Sequence, residues 1–240
     1  MNLSDFLKKQ KKFFIFVDFD GTISEIVNSP PTAVPLTGAV GALKKLKNKK
    51  NIKIAIVSGR EISFLRKFFP RGFTLVGCHG AEIFGVGGRS SKRLSAVQKN
   101  VINLTAAFFK AAAFNGLFVE EKKYSLALHY RSMSLKNSAA LIAAVREIEP
   151  ALKKFSLEIL SGRKVVEIRA KGAGKGRAVR KLAAAAKNYA SVYFGDDETD
   201  EEAFRLPCVT GVKIGAGKTA ARFRLASPRD VVEVIEGFAG

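Results

Sequence analysis

Apolar positions in this chain fall into two kinds of segment that alternate. The unbroken apolar run Phe13 to Val17 reads as a strand buried on both faces, and the mostly apolar stretches Ile52 to Val57, Ser191 to Phe194 and Val209 to Ile214 read as further strands. Between them apolar residues recur at helical spacing. Val40, Leu43 and Leu46 mark a helix over Thr37 to Lys47, and Ile62, Leu65 and Phe68/Phe69 mark one face of the next. Leu75-Val76 is a further short strand. This strand–helix alternation predicts an α/β fold with a doubly wound, Rossmann-like parallel sheet.

The rhythm breaks at Gly85 to Gly88, where three glycines read as a boundary. A helix over Ser95 to Ala113 follows, with Val101, Leu104 and Phe108 at helical spacing. Strands over Leu117 to Glu121 and Tyr124 to Arg131 come next, then a helix over Leu135 to Glu149 that Ser134 can cap. Two more strands, Phe155 to Leu160 and Lys164 to Ile168, complete an α+β unit. The expected organisation is a core of residues 1–86 and 170–240 with an α+β cap, 87–169, inserted in it. In the returning core, Gly172 to Gly176 opens a helix to about Asn188. Thr199 and Glu202 have capping-box spacing for a short helix, and Val231 to Phe238 reads as the last helix.

Composition narrows the setting. The chain has 240 residues, an apolar fraction of 47% and a net charge of +20. No segment approaches the ~20 continuous apolar residues of a membrane span, and the lysine-rich start does not read as a signal peptide. Cys78 and Cys208 are too few for a disulfide framework. A cytoplasmic monomer without membrane attachment is expected. The basic residues are spread over nearly every segment, densest at Lys8 to Lys12 and Lys44 to Lys53. No nucleic-acid motif or aromatic ladder accompanies them. A solvated basic surface is therefore favoured over a nucleic-acid footprint, and it would also attract a phosphorylated substrate.

Candidate chemistry sits where the strands end. Asp18-Phe19-Asp20-Gly21-Thr22, Ser58-Gly59-Arg60 and Gly195-Asp196-Asp197 each follow an apolar run, and a doubly wound sheet gathers such ends on one edge. Lys175, at a helix start, can reach the same edge. One carboxylate could attack phosphorus and another move a proton, with a hard cation held between them. Each piece alone also has a plain reading. Asp and Gly are ordinary turn residues, Ser58 can be one too, Lys175 can be solvated, and Asp200 suits a helix N-terminus.

Taken together, these motifs resemble the haloacid dehalogenase superfamily of aspartyl phosphatases. A narrower set resembles the trehalose-6-phosphate phosphatase family through almost the whole chain. It comprises Val57 to Arg60, Gly77 to Glu82, Glu120-Glu121-Lys122, Ser125 through Leu128 to Arg131, Val166 to Arg169, Lys175-Gly176 and Gly195 to Glu201. Two positions depart from that family's pattern: Ala170 stands where Pro is frequent, and Lys123 where Gly is common.

The resemblance implies roles. Asp18 is the nucleophile, Asp20 the acid and base, and Ser58 and Lys175 contact the phosphoryl group. Mg2+ sits on Asp18, the Asp20 carbonyl and Asp196, with Asp197 and Asp200 behind it. Amides from Phe19 to Gly21 cradle the phosphate, and Arg60 and His79 line the cleft. Glu120, Lys122, His129, Arg131 and Glu167 of the cap meet the sugar of a phosphorylated disaccharide. Strand parity sets Glu120 and Lys122 away from His129 and Arg131 unless a turn near Lys122-Lys123 resets the register. The implied reaction is hydrolysis of trehalose 6-phosphate. Alternatives are a sucrose-phosphate or mannosyl-phosphoglycerate phosphatase, or an inactive anion-binding or nucleic-acid-binding protein on this scaffold.

Overall fold

In chain order the computed structural model contains α1 (Leu3–Lys8), β1 (Phe13–Asp18), α2 (Ala39–Lys47), β2 (Ile52–Val57), α3 (Ile62–Leu65), β3 (Thr74–Gly77), β4 (Glu82–Gly85) and β5 (Gly88–Ser91). Then come α4 (Ala96–Ala111), β6 (Phe118–Glu121), β7 (Ser125–His129), α5 (Leu135–Lys154), β8 (Leu157–Gly162) and β9 (Val165–Ala170). The chain closes with α6 (Lys175–Ala184), β10 (Ala190–Gly195), α7 (Glu201–Phe204), β11 (Val209–Ile214), β12 (Phe223–Leu225) and α8 (Pro228–Ala239). The structure describes residues 3–27, 32–85, 88–91, 94–162 and 164–239. Pro30, Pro31 and Gly87, which the sequence marks as loop and boundary, lie outside them. The chain divides into two compact units, residues 1–91 with 174–240 and residues 92–173.

The first unit is built on an eight-stranded sheet, ordered β12-β11-β10-β1-β2-β3-β4-β5. The six strands from β12 to β3 run parallel, and β4 and β5 add an antiparallel edge. Side chains alternate across β1, so each face needs its own cover. Phe13, Ile15 and Val17 bury against residues of α2, α3 and α8. Phe14 and Phe16 bury on the other side with Ala178 and Val179 of α6 and Ala203 and Phe204 of α7. That two-sided cover is why β1 is apolar throughout until Asp18.

The second unit is a four-stranded antiparallel sheet, β6-β7-β9-β8, with α4 and α5. Leu126 and Leu128 of β7 and Val166 and Ile168 of β9 form its core with Ile102, Phe109, Leu141 and Val145 of the helices.

Several expectations are corrected. β5 pairs with β4 in the first sheet, so residues 88–91 belong to the core unit. On α4 the buried stripe is Ile102, Thr105, Ala106 and Phe109, whereas Leu104 and Phe108 are 71% and 51% exposed. Both stripes have helical spacing, and packing against the sheet selected the other one. α5 runs on through Pro150 to Lys154, and α6 ends at Ala184 rather than near Asn188. The Thr199/Glu202 capping box does not form: Asp200 is the N-cap of α7, Thr199 Oγ1 donates to Asp197 Oδ1, and Glu202 Oε2 accepts from Gly176 N.

Candidate active site

The parallel register brings the polar strand ends together. Asp18 lies across from Val57 of β2, and Val17 across from Phe194 of β10. The residues that follow, Ser58 on one side and Gly195-Asp196 on the other, therefore flank Asp18. Lys175 enters from the first turn of α6.

Lys175 is the hub. Its ammonium donates to Asp18 Oδ1 at 2.7 Å and to Asp200 Oδ1 at 2.8 Å, and stands 3.8 Å from Asp197 Oδ1. Burial opposes a charged lysine, but Asp18, Asp197 and Asp200 together hold its pKa well above the usual lysine value. Asp18 is itself buried. Desolvation raises its pKa well above the ordinary value, Lys175 works against that, and Asp200, Asp196 and Asp197 add to the rise.

The loop after β10 is wound around Asp200. Asp200 Oδ1 also accepts from the Tyr193 hydroxyl at 2.6 Å, while Oδ2 accepts from the amides of Asp196 at 3.0 Å and Asp197 at 3.1 Å. Gly195 permits this fold-back, because a Cβ there would lie 2.4 Å from the Asp200 carboxyl carbon. Asp197 Oδ1 accepts from Thr199 N, Thr199 Oγ1 and Asp200 N. Burial would raise Asp197, but Lys175 and the Thr199 hydrogen bonds keep it well below the usual carboxylate range. Asp196 goes the other way: burial, then Asp200 and Asp197, push it up to about 7.

These partnerships sort the acids. Asp18, Asp196 and Asp200 each offer a carboxylate oxygen within 4.8 Å of one another. Both oxygens of Asp200 are taken by hydrogen bonds. Asp196 Oδ1 is buried and has no hydrogen-bond partner among the described residues, an arrangement that costs free energy unless something positive meets it. Its carboxylate lies against Gly21, where a Cβ would come within 2.2 Å of Oδ2, and Gly21 has φ +73°. A side chain at residue 21 would displace the very group aimed into the site. Asp18 and Asp196 thus suit a small hard cation, with Asp200 and Asp197 fixing the groups around it.

Asp20 stands apart from this cluster. Both its oxygens are held by Arg60, from Nε at 2.8 Å and Nη2 at 2.5 Å, and the guanidinium lies over the Phe64 ring. Ser58 is fully buried and its Oγ accepts from Arg60 N at 3.1 Å. Phe19 is a packing residue: its ring is buried among Phe64, Phe68 and Phe69. The Gly21 amide donates to Ser24 O at 2.9 Å, so it is already engaged within the loop. His79 sits in a left-handed turn with φ 50°, its ring covering Gly59, and its charge helps hold Asp197 low.

In the second unit the turn at Lys123-Tyr124 resets the β6–β7 register, placing Glu120 opposite Ala127. Glu120 and His129 then share a face, and His129 Nε2 lies 2.8 Å from Glu120 Oε2. Lys122 Nζ stands 3.9 Å from Glu120 and 3.8 Å from Glu167. Ser125 Oγ donates to Glu167 Oε1 at 2.6 Å. Arg131 is exposed in the turn after β7 and is not drawn into this group.

Two buried residues of the first unit escaped the sequence reading. Tyr193 passed as one more apolar strand residue. Lys213, 6% exposed on β11, donates to the backbone carbonyl of Asp196. A lysine inside a strand apolar on both sides was the available signal, since such a charge needs a partner.

The fold, a parallel-sheet α/β core with an α+β unit, is shared with solved trehalose-6-phosphate phosphatases. The chain belongs to the trehalose-phosphatase family, whose model matches residues 16–214. A trehalose-phosphate phosphatase of Mycobacterium ulcerans (strain Agy99) is 34% identical over 237 residues, 91% of this chain and 59% of the relative. An uncharacterized glycosyl hydrolase of Mycobacterium tuberculosis is also 34% identical, over 94% of this chain and 18% of the relative. The chain thus spans less than two thirds of these relatives' own length. Among solved structures, the C-terminal domain of C. albicans trehalose-6-phosphate phosphatase superposes with a TM-score of 0.81 at 24% identity, covering 97% of this chain and 93% of that one. A trehalose-6-phosphate phosphatase of Aspergillus fumigatus gives 0.75 at 25% identity, over 97% and 94%. Among the described residues no helix is long and apolar enough to cross a membrane.

Proposed function

We propose that this chain hydrolyses trehalose 6-phosphate to trehalose and phosphate, with Mg2+ as cofactor and an aspartyl-phosphate intermediate. The observation that carries the reading is the buried Asp18–Lys175–Asp200 cluster beside the unpartnered Asp196 oxygen. Family membership supports the substrate. Cys78 and Cys208 form no disulfide, which suits a reducing cytoplasm.

Asp18 attacks phosphorus, and the bond to the sugar oxygen breaks as that oxygen takes a proton from Asp20. Asp20 then takes a proton from water, whose oxygen attacks the aspartyl-phosphate and frees Asp18 and phosphate. Arg60 holds Asp20 through both oxygens, so this pair opens before Asp20 carries its proton. Lys175 opposes the burial-driven rise in the Asp18 pKa and offsets phosphoryl charge. Asp18, the Asp20 carbonyl and Asp196 would hold the cation, which neutralises charge developing on phosphoryl oxygens. Ser58 donates to a phosphate oxygen. Glu120, Lys122, His129, Arg131 and Glu167 recognise sugar hydroxyls, with His79 beside the phosphoryl site.

The test is phosphate release from trehalose 6-phosphate, sucrose 6-phosphate, glucose 6-phosphate and mannosyl-phosphoglycerate, with Mg2+ and with EDTA. Magnesium-dependent preference for trehalose 6-phosphate is expected. Preference for another sugar would keep the phosphoryl chemistry and overturn the substrate. Inactivity on all four would overturn the enzymatic reading.

A further inference from the structure

We propose that Lys213 is a positioning residue for the metal site, setting the aim of Asp196. The inference rests on the metal-dependent reading above. β10 and β11 run parallel with Gly195 opposite Lys213, so the lysine stem rises beside the loop that begins at Asp196. Its ammonium is buried and donates to the Asp196 carbonyl. The Asp196 amide donates to Asp200 Oδ2 at 3.0 Å. Both backbone polar groups of Asp196 are thereby pinned. With the peptide planes fixed on each side and Gly21 against the carboxylate, Oδ1 is left buried with no hydrogen-bond partner among the described residues.

Lys175 is shared among Asp18, Asp200 and Asp197 and, among the described residues, makes no ion pair with Asp196. Lys213 is the lysine that hydrogen-bonds Asp196, through its backbone carbonyl. Without Lys213 that carbonyl would lose its donor, and the loop would be free to turn the ligand away.

Direct metal binding tests this. Mn2+ added to the substrate-free full chain is followed by the electron paramagnetic resonance signal of the free ion, alongside the Mg2+ dependence of turnover. K213M is expected to weaken Mn2+ binding and raise the half-saturating Mg2+ concentration about tenfold or more. At saturating Mg2+ its kcat should stay within about threefold of the parent, and K213R should recover most of the affinity. Wild-type Mn2+ affinity in folded K213M would overturn the inference. If K213M does not fold, K213L, which likewise removes the donor, takes its place with the same two outcomes. A parent chain that binds no Mn2+ would sink the metal reading itself, and the inference with it.

Discussion

Lys175 Nζ lies 2.7 Å from Asp18 Oδ1, with both side chains almost wholly excluded from water. The same ammonium holds Asp200, so its removal strands two buried carboxylates. K175M should lose about 3–5 kcal/mol of stability, the range for breaking a buried ion pair from one side. Urea unfolding at about pH 8 in EDTA measures it. The loss should shrink at about pH 5, where the stranded acids can take up protons. An unchanged midpoint would mean that the cluster is not buried as described.

D18N removes the nucleophile and one negative charge from a crowded site. Turnover should fall to background, while the metal-free melting temperature should stay level or rise. Burial raises the pKa of Asp18, so its ionised form is costly when no cation is bound. Measurable turnover in D18N would refute the covalent mechanism.

Mg2+ should stabilise the chain in a pH-dependent way. The folded-state pKa of Asp196 is raised from 3.8 to about 7. A raised folded pKa contributes stability below the unfolded value that is lost as pH rises through the folded one. Without metal this contribution disappears between about pH 4 and about pH 7. A cation that binds the ionised form reverses the loss, so the Mg2+-induced rise in melting temperature should be larger at about pH 8 than at about pH 5. Paired melts in Mg2+ and EDTA decide it. Equal shifts at both pH values would remove Asp196 from the ligand set.

Arg60 meets Asp20 with a two-pronged fork and lies over the Phe64 ring, and lysine reproduces neither contact. R60K should lower kcat about tenfold. Because the pair is partly exposed, stability should change by no more than about 1 kcal/mol. Steady-state kinetics with a parallel melt separate the two effects, and wild-type kcat in R60K would exclude an orienting role.

Glu120 faces His129 and Lys122 on the sheet of the second unit. E120Q should raise KM for trehalose 6-phosphate about tenfold or more. Hydrolysis of p-nitrophenyl phosphate, which has no sugar, should be unaffected. Equal losses on both substrates would argue against sugar recognition.

Local pattern carried far in this chain. A strand buried on both faces must be apolar throughout, so Phe13 to Val17 announced both β1 and the place where Asp18 begins the site. Ser134 at the head of α5 was equally legible, and its hydroxyl does accept from Asn137 N at 3.2 Å. The short strands β4, β5 and β12 were not, because their pairing, more than their composition, makes them strands. On α4 two apolar stripes with equal helical spacing left the buried face undetermined until a sheet was present to pack against.

The amino-acid sequence by itself determined the alternation of strands and helices, the inserted α+β unit and the acidic motifs at the strand ends. These follow from residues a few positions apart, where periodicity and steric preference act. Tertiary structure alone decided which acid is tied up and which is open. Lys175 meets Asp18 across most of the chain, Arg60 reaches Asp20, and Lys213 and Tyr193 turn from strand residues into partners of the acidic loop. Such pairings depend on parallel register and on exclusion of water, which arise only when the strands stand side by side and the charges between them must find one another.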